Sequence, residues 1–177
     1  VDRVYAVPQE HGLTDLVLAT GYFSFQVYAD FAGYSLIAIG SAKLLGVELM
    51  TNFQQPYLSQ TLPEYWRRWH ISLSSWFRDY VFVPLQFSIR RWGTVGLAAA
   101  LIFTFVLVGV WHGAGPQYGL FGLVHGILVA YSTITLSRRN KLWKKTGISP
   151  VVVRWFRTVS TFIVISLTFI LFRANGV

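Results

Sequence analysis

The chain has 177 residues, of which 54% are hydrophobic and 17% aromatic, and only 12% are charged against a soluble norm of about 25%, which describes a membrane protein. A net charge of +8 does not make it a nucleic-acid binder: all seven acidic residues lie at or before Asp79, and the basic residues beyond it sit mostly at the ends of apolar runs, where they set topology and attract anionic lipid headgroups. Cysteine is absent, which excludes disulfides, thiolate metal sites and cysteine nucleophiles.

The chain begins Val1-Asp2-Arg3-Val4, with neither a start methionine nor a basic leader, and reads as a piece of something longer. Residues 1 to 13 form a short mixed entry in which His11 reads as a solvated loop residue. From Leu16 to Leu45 the chain is apolar and aromatic, interrupted by Gln26, Asp30, Gly33, Ser35, Gly40 and Lys43. A helix of about 30 residues covers about 45 Å, more than the roughly 30 Å hydrocarbon core, so this stretch predicts one long tilted span or two half-spans meeting near Gly33. Asp30 then lies within the membrane, where a carboxylate must be paired, protonated or facing water. It is a functional candidate or a structural hydrogen-bond partner for another helix.

Asn52 to Pro63 carries the Asn, Gln and Pro that stop a helix, and Thr61 with Glu64 three residues on fits a capping box. A helix is therefore predicted from there to about Tyr80. Projected at about 100° per residue, Trp66, Trp69, His70, Leu73, Trp76, Phe77 and Tyr80 share one face, with Glu64, Arg67, Arg68, Arg78 and Asp79 opposite. So aromatic and cationic a helix reads as interfacial or re-entrant. Glu64 and Arg68 are spaced for an ion pair.

No Asp, Glu, Lys or Arg occurs between Arg91 and Arg138, more than the roughly 20 residues that one span needs. Trp111-His112-Gly113-Ala114-Gly115-Pro116 divides the run into Thr94 to Trp111 and Tyr118 to Leu136, a helical hairpin with His112 at its bend. Arg90-Arg91 at one end and Arg138, Arg139, Lys141, Lys144 and Lys145 at the other place both ends on the cytoplasmic side. Val151 to Phe172 is the last span, with Arg154 and Arg157 able to snorkel from its first turns. The whole reads as one all-α membrane domain, a polytopic helical bundle with interfacial or re-entrant helices.

Three histidines are candidates for chemistry. A neutral imidazole at His112 can accept a proton, and the glycines beside it admit a substrate close to the backbone; the competing role is a hydrogen bond across helices. His125 lies mid-helix, where packing is the simpler reading, and His70 sits at the margin of the aromatic face. Their separations match no local metal-ligand motif, HExxH is missing, and no GxSxG elbow is present, so no metal site and no serine nucleophile are expected.

The run Glu64-Tyr65-Trp66-Arg67-Arg68-Trp69-His70-Ile71-Ser72-Leu73-Ser74-Ser75-Trp76-Phe77-Arg78-Asp79-Tyr80, followed by Trp111-His112-Gly113-Ala114-Gly115 and His125-Gly126, resembles the membrane-bound O-acyltransferase family. Within it, the sequence is similar to the alginate O-acetyltransferase branch and to the D-alanyl transfer proteins of teichoic acid modification. The likeness extends from Phe25-Gln26-Val27-Tyr28-Ala29-Asp30-Phe31-Ala32-Gly33-Tyr34-Ser35 to Phe172-Arg173-Ala174. Family members are much longer, so the chain resembles their C-terminal portion.

What the resemblance implies is a multi-pass protein of the cytoplasmic (inner) membrane that transfers an acyl group from a thioester donor, acetyl-CoA or an acyl carrier protein. The acceptor is a hydroxyl of an extracytoplasmic polysaccharide such as alginate, or of an intermediary protein. His112 is then the main catalytic histidine and His70 the second. Trp69, Trp111, Gly113, Arg78, Asp79, Asp30 and His125 complete the candidate set as substrate-binding residues, with Trp111, His70 or backbone amides near Gly113 as oxyanion donors. No tightly bound cofactor is implied. The expected partners are membrane lipid, the acyl donor, and the polysaccharide or a periplasmic or extracellular acetyltransferase. The alternative from a different class is a non-catalytic scaffold or transporter subunit of a polysaccharide export complex.

Overall fold

The uncharged run folds as the predicted hairpin. In a computed structural model that describes residues 1 to 173, helix α6 (Gly93–His112) ends at His112 and α7 (Pro116–Lys145) begins after a three-residue turn. Pro116 takes the first helical position, where its missing N–H is not needed. Three glycines allow the two helices to touch: a Cβ on Gly109 would meet the Tyr118 carbonyl, one on Gly122 the Phe105 carbonyl, and one on Gly126 the Ile102 Cα. Close backbone approach of this kind replaces hydrophobic driving force where the surroundings are as apolar as the helices.

The remaining helices are α1 (Asp2–Ala6), α2 (Leu13–Leu44), α3 (Leu62–Arg68), α4 (Ile71–Phe77), α5 (Val83–Ser88) and α8 (Pro150–Arg173), with no strand among the described residues. This is the all-α bundle expected. The segments Arg90–His112, Pro116–Lys145 and Pro150–Arg173 are each long and apolar enough to cross a membrane. Helices α3, α4 and α5, of 7, 7 and 6 residues, are too short to do so. Of the chain's predicted C-terminal likeness, Ala174 lies outside the described residues.

Helix α2 is continuous over 32 residues and passes through Gly33 without a break, so the long single helix holds and the two half-spans do not. Its polar residues leave it out of the three segments apolar enough to span. It leans on α8 through Phe23 against Phe169 at 6.4 Å and through the Ser24 hydroxyl, which donates to Ser166 Oγ at 2.9 Å.

The predicted helix start at Thr61 is present: its hydroxyl accepts from the Glu64 N–H at 3.3 Å, and Glu64 pairs with Arg68 at 2.7 Å. The single helix to Tyr80 is not. It breaks after Arg68, with Trp69 extended (φ −106°, ψ 130°) and His70 left-handed (φ 46°, ψ 55°), and resumes as α4. A five-residue π-helical turn, Arg78–Phe82, then joins α4 to α5. The common aromatic face is therefore split: Trp66 and Trp69 are buried, whereas Trp76 and Tyr80 are exposed.

Hydrogen bonds to the backbone around the break hold it in place. Gln54 N–H donates to the Arg68 carbonyl at 3.0 Å, the Ser74 hydroxyl to the Trp69 carbonyl at 3.1 Å, and Ser74 N–H to the His70 carbonyl at 2.9 Å. Ile71 N–H donates to the Asn52 carbonyl at 3.0 Å. Trp69 anchors the turn in the core, stacked on Tyr65 at 5.5 Å and meeting Phe53 edge-on at 5.0 Å. Buried Trp66, Phe121, Ile165 and Phe169 continue that core between α3, α7 and α8.

Candidate active site

A histidine at the start of a helix would ordinarily be free to rotate into solvent. Here the left-handed backbone of His70 turns its ring into the bundle, where the residue is 8% exposed. A non-glycine residue in this region is uncommon and costs of order 1 kcal/mol or more, and such outliers concentrate at functional sites. The imidazole meets Phe31 of α2 edge-on at 4.7 Å and Trp111 at 5.9 Å, with no hydrogen-bond partner among the described residues.

His112 reaches the same tryptophan from the other direction. As the last residue of α6 it sits where the helix opens into the Gly113 turn, its ring 4.9 Å from Trp111 and 5.1 Å from Phe172 of α8. Trp111 therefore contacts both histidines, and it is 58% exposed, so this cluster is open on the described chain. Gly113 is needed beside it for space: a Cβ there would overlap the Tyr118 ring at 2.5 Å.

Burial pushes the His70 pKa down to about 4, and repulsion from a charge on His112 adds to the effect. At neutral pH His70 is an uncharged imidazole, with one N–H to donate and one nitrogen to accept. Two histidines close enough to sense each other's charge cannot both hold a proton easily, which separates their roles.

The other residues predicted for the site lie elsewhere. His125 is 1% exposed on α7 and carries a hydrogen-bond partner on each ring nitrogen, Trp66 at 3.1 Å and Thr168 at 2.9 Å. It connects to His112 only through a row of rings, Phe121 at 4.3 Å and then Phe172, which lies 5.3 Å from Phe121. Trp69 is a core residue one position from His70. Arg78 and Asp79 pair with each other on the exposed π turn, at 2.7 and 3.0 Å. Asp30 is exposed on α2, next in sequence to Phe31.

Sequence reasoning passed over Phe31, Phe172, Tyr118 and Asn52, all of which shape the histidine cluster. Phe31, Asn52 and Phe172 stand far from His70 and His112 in the chain, and Tyr118, just past the turn after His112, is an aromatic residue in a chain too rich in them for one to carry a local signal. An apolar cavity of about 400 Å³ lies between α3, α4, α6 and α7, lined by Trp66, Phe77, Leu101, Phe105 and Val108 with Arg67 and Arg78 among its walls. Neither His70 nor His112 lines it.

Residues 7–173 match the model of MBOAT, the membrane-bound O-acyltransferase family. The chain is 38% identical over 159 residues to a probable alginate O-acetylase of Pseudomonas syringae, covering 87% of this chain and 28% of that protein. It is 39% identical over 129 residues to a teichoic acid D-alanyltransferase of Bacillus subtilis, covering 70% of this chain and 32% of the relative. To a peptidoglycan O-acetyltransferase of Helicobacter pylori it is 35% identical over 158 residues, 87% of this chain and 28% of that protein. The chain thus spans about 30% of the length of the curated relatives it matches.

Proposed function

The chain belongs to the membrane-bound O-acyltransferase family, and from that premise we propose that it carries the catalytic histidines of an enzyme moving an acyl group from a thioester donor to a hydroxyl. The acceptor in this reading is an extracytoplasmic polysaccharide, or an intermediary protein that passes the group on. The relatives named for alginate, teichoic acid and peptidoglycan share a cell-surface polymer as the object of modification. An acetyl group, a thioester of coenzyme A or of a carrier protein as donor, and the cytoplasmic membrane as the location complete the reading.

The observation that carries it is the convergence of His70, at the start of α4, and His112, at the end of α6, on one exposed tryptophan. A hydroxyl is a poor nucleophile at neutral pH. In the proposed step His112 takes the hydroxyl proton as the oxygen attacks the thioester carbonyl, a positioned base being worth about 10² to 10⁴ in rate. The new C–O bond gives a tetrahedral oxyanion, which collapses as the C–S bond breaks, and the imidazolium returns its proton to the departing thiolate. In this step neutral His70 donates its N–H toward the oxyanion without competing for the proton. Trp111, between the two, holds the acyl group against an aromatic face.

The test is the O-acetyl content of surface polysaccharide in cells carrying full-length protein with His112→Ala at wild-type membrane abundance. The reading expects unacetylated polymer at normal yield. Normal acetylation removes His112 from the mechanism, and loss of the polymer itself favours an export scaffold.

A further inference from the structure

A helix usually caps its own N-terminus, the residue before the first turn turning a side-chain oxygen onto the open N–H groups. His70 holds that position at the start of α4 and makes no such bond. The cap comes from a different part of the chain. The backbone carbonyl of Asn52 accepts from Ile71 N–H at 3.0 Å, and its side-chain Oδ1 accepts from Ser72 N–H at 3.1 Å and from the Ser72 hydroxyl at 2.7 Å. Its Nδ2 donates to Ser35 Oγ on α2 at 3.3 Å. One side chain thus fastens the first turn of α4 to α2, the helix whose Phe31 packs on the His70 ring.

The geometry points to Asn52 as a positioning residue that caps α4 from outside and so holds the His70 imidazole toward Trp111 and His112. The inference rests on the acyl-transfer reading above. Because Asn52 supplies the acceptors, the His70 side chain is released from capping and its ring is available to a substrate. Because the amide both accepts and donates, it fixes α4 relative to α2 and not merely to its own loop. Loss of the clamp lets extended Trp69 and left-handed His70 relax together toward the right-handed form, which continues α3 into α4 and swings the His70 ring away from Trp111.

Full-length protein in membrane vesicles, supplied with radiolabelled acetyl-CoA and the polymer acceptor, gives the kinetic readout. Asn52→Ala is expected to lower kcat by about 10²-fold, the scale of a misplacement near 1 Å, with KM for acetyl-CoA little changed. Asn52→Asp keeps the Oδ1 acceptor that Ser72 uses, with the Ser35 hydroxyl free to donate to the second carboxylate oxygen, and is expected to restore most of kcat. In a His70→Asn background, which retains a residue tolerant of the left-handed backbone, Asn52→Ala is expected to cost almost nothing further, since its effect travels through His70. The second readout needs no turnover: in ¹⁵N-histidine-labelled protein at pH 7.5, the His70 ring resonances broaden or shift in Asn52→Ala and return in Asn52→Asp.

Full activity in Asn52→Ala overturns the inference, as does an equal loss in the wild-type and His70→Asn backgrounds with the His70 resonances unmoved. A wild-type protein that transfers nothing from acetyl-CoA counts instead against the functional reading, and the resonances then decide the role of Asn52.

Discussion

Trp66 and His125 fix each other's chemistry: an indole N–H can only donate, so Nδ1 of His125, 3.1 Å from it, must accept. The ring proton then sits on Nε2, facing the Thr168 hydroxyl at 2.9 Å, and that hydroxyl donates to the Ile165 carbonyl at 2.7 Å. The chain of bonds is complete within the bundle and joins α3, α7 and α8. His125→Ala is expected to lower thermal stability of the detergent-purified full-length protein, the orphaned indole alone costing about 1–3 kcal/mol. The folded fraction should retain kcat near wild type. A large kcat loss at unchanged thermal midpoint would place His125 in the reaction.

Gly122 and Gly119 lie three residues apart on α7 and differ in surroundings. A Cβ on Gly122 runs into the backbone of α6 at Phe105, which cannot move aside, whereas one on Gly119 meets nothing within 4 Å. Gly122→Ala should therefore separate the hairpin, at a cost of about 1–3 kcal/mol for overpacking. Gly119→Ala should be neutral or stabilise by up to about 1 kcal/mol through helix propensity. Fluorescence-detected size-exclusion after a heat step compares the two directly.

Trp111 is exposed and contacts both histidines, so its loss should register in activity and not in stability. Trp111→Ala is expected to reduce kcat/KM at wild-type membrane abundance and thermal midpoint, with Trp111→Phe partly active. A drop in the thermal midpoint comparable to that of a core substitution would show that the ring is needed for packing instead.

The depressed His70 pKa has a consequence for acid stability. Its folded value of about 4 lies below the ordinary 6.5, so between these values the unfolded chain binds the proton and the folded chain does not. The contribution of neutral His70 is fully present above about pH 6.5 and is lost as pH falls toward about 4, after which it changes no further. His70→Asn removes that titration while suiting the left-handed backbone. The variant should show a shallower fall of thermal midpoint over pH 6.5 to 4 than wild type, and an unchanged slope would assign the acid sensitivity to other groups.

The hairpin was legible in the sequence because its signals are local. Absence of charge marks the two arms, and Gly113-Ala114-Gly115-Pro116 marks the turn. The cap at Thr61 and the Glu64–Arg68 pair were legible for the same reason. The break at Trp69 and His70 was not. Nothing between Glu64 and Tyr80 is a helix breaker, and what stops the helix is a set of bonds from Asn52 and Gln54, residues that belong to the preceding loop. The continuity of α2 through Gly33 was undecidable for the converse reason: a glycine with open space around it gives no sign of whether the helix bends there. Of the candidate residues, the sequence supplied His70, Trp111 and His112 as types without their proximity, which only the packing of α6 against the α3–α4 turn provides.

The clamp on His70 also orders events in time. Asn52 and Gln54 leave the ribosome before residues 68 to 72 that they bind, and Ser35 before either, so the histidine turn can close while α6 is still unmade. His112 arrives only with the hairpin that follows. One half of the pair is thus set early and locally, and the other is delivered by insertion of two apolar helices. A nascent chain stalled before that insertion would have the His70 turn without the second imidazole that the proposed reaction uses.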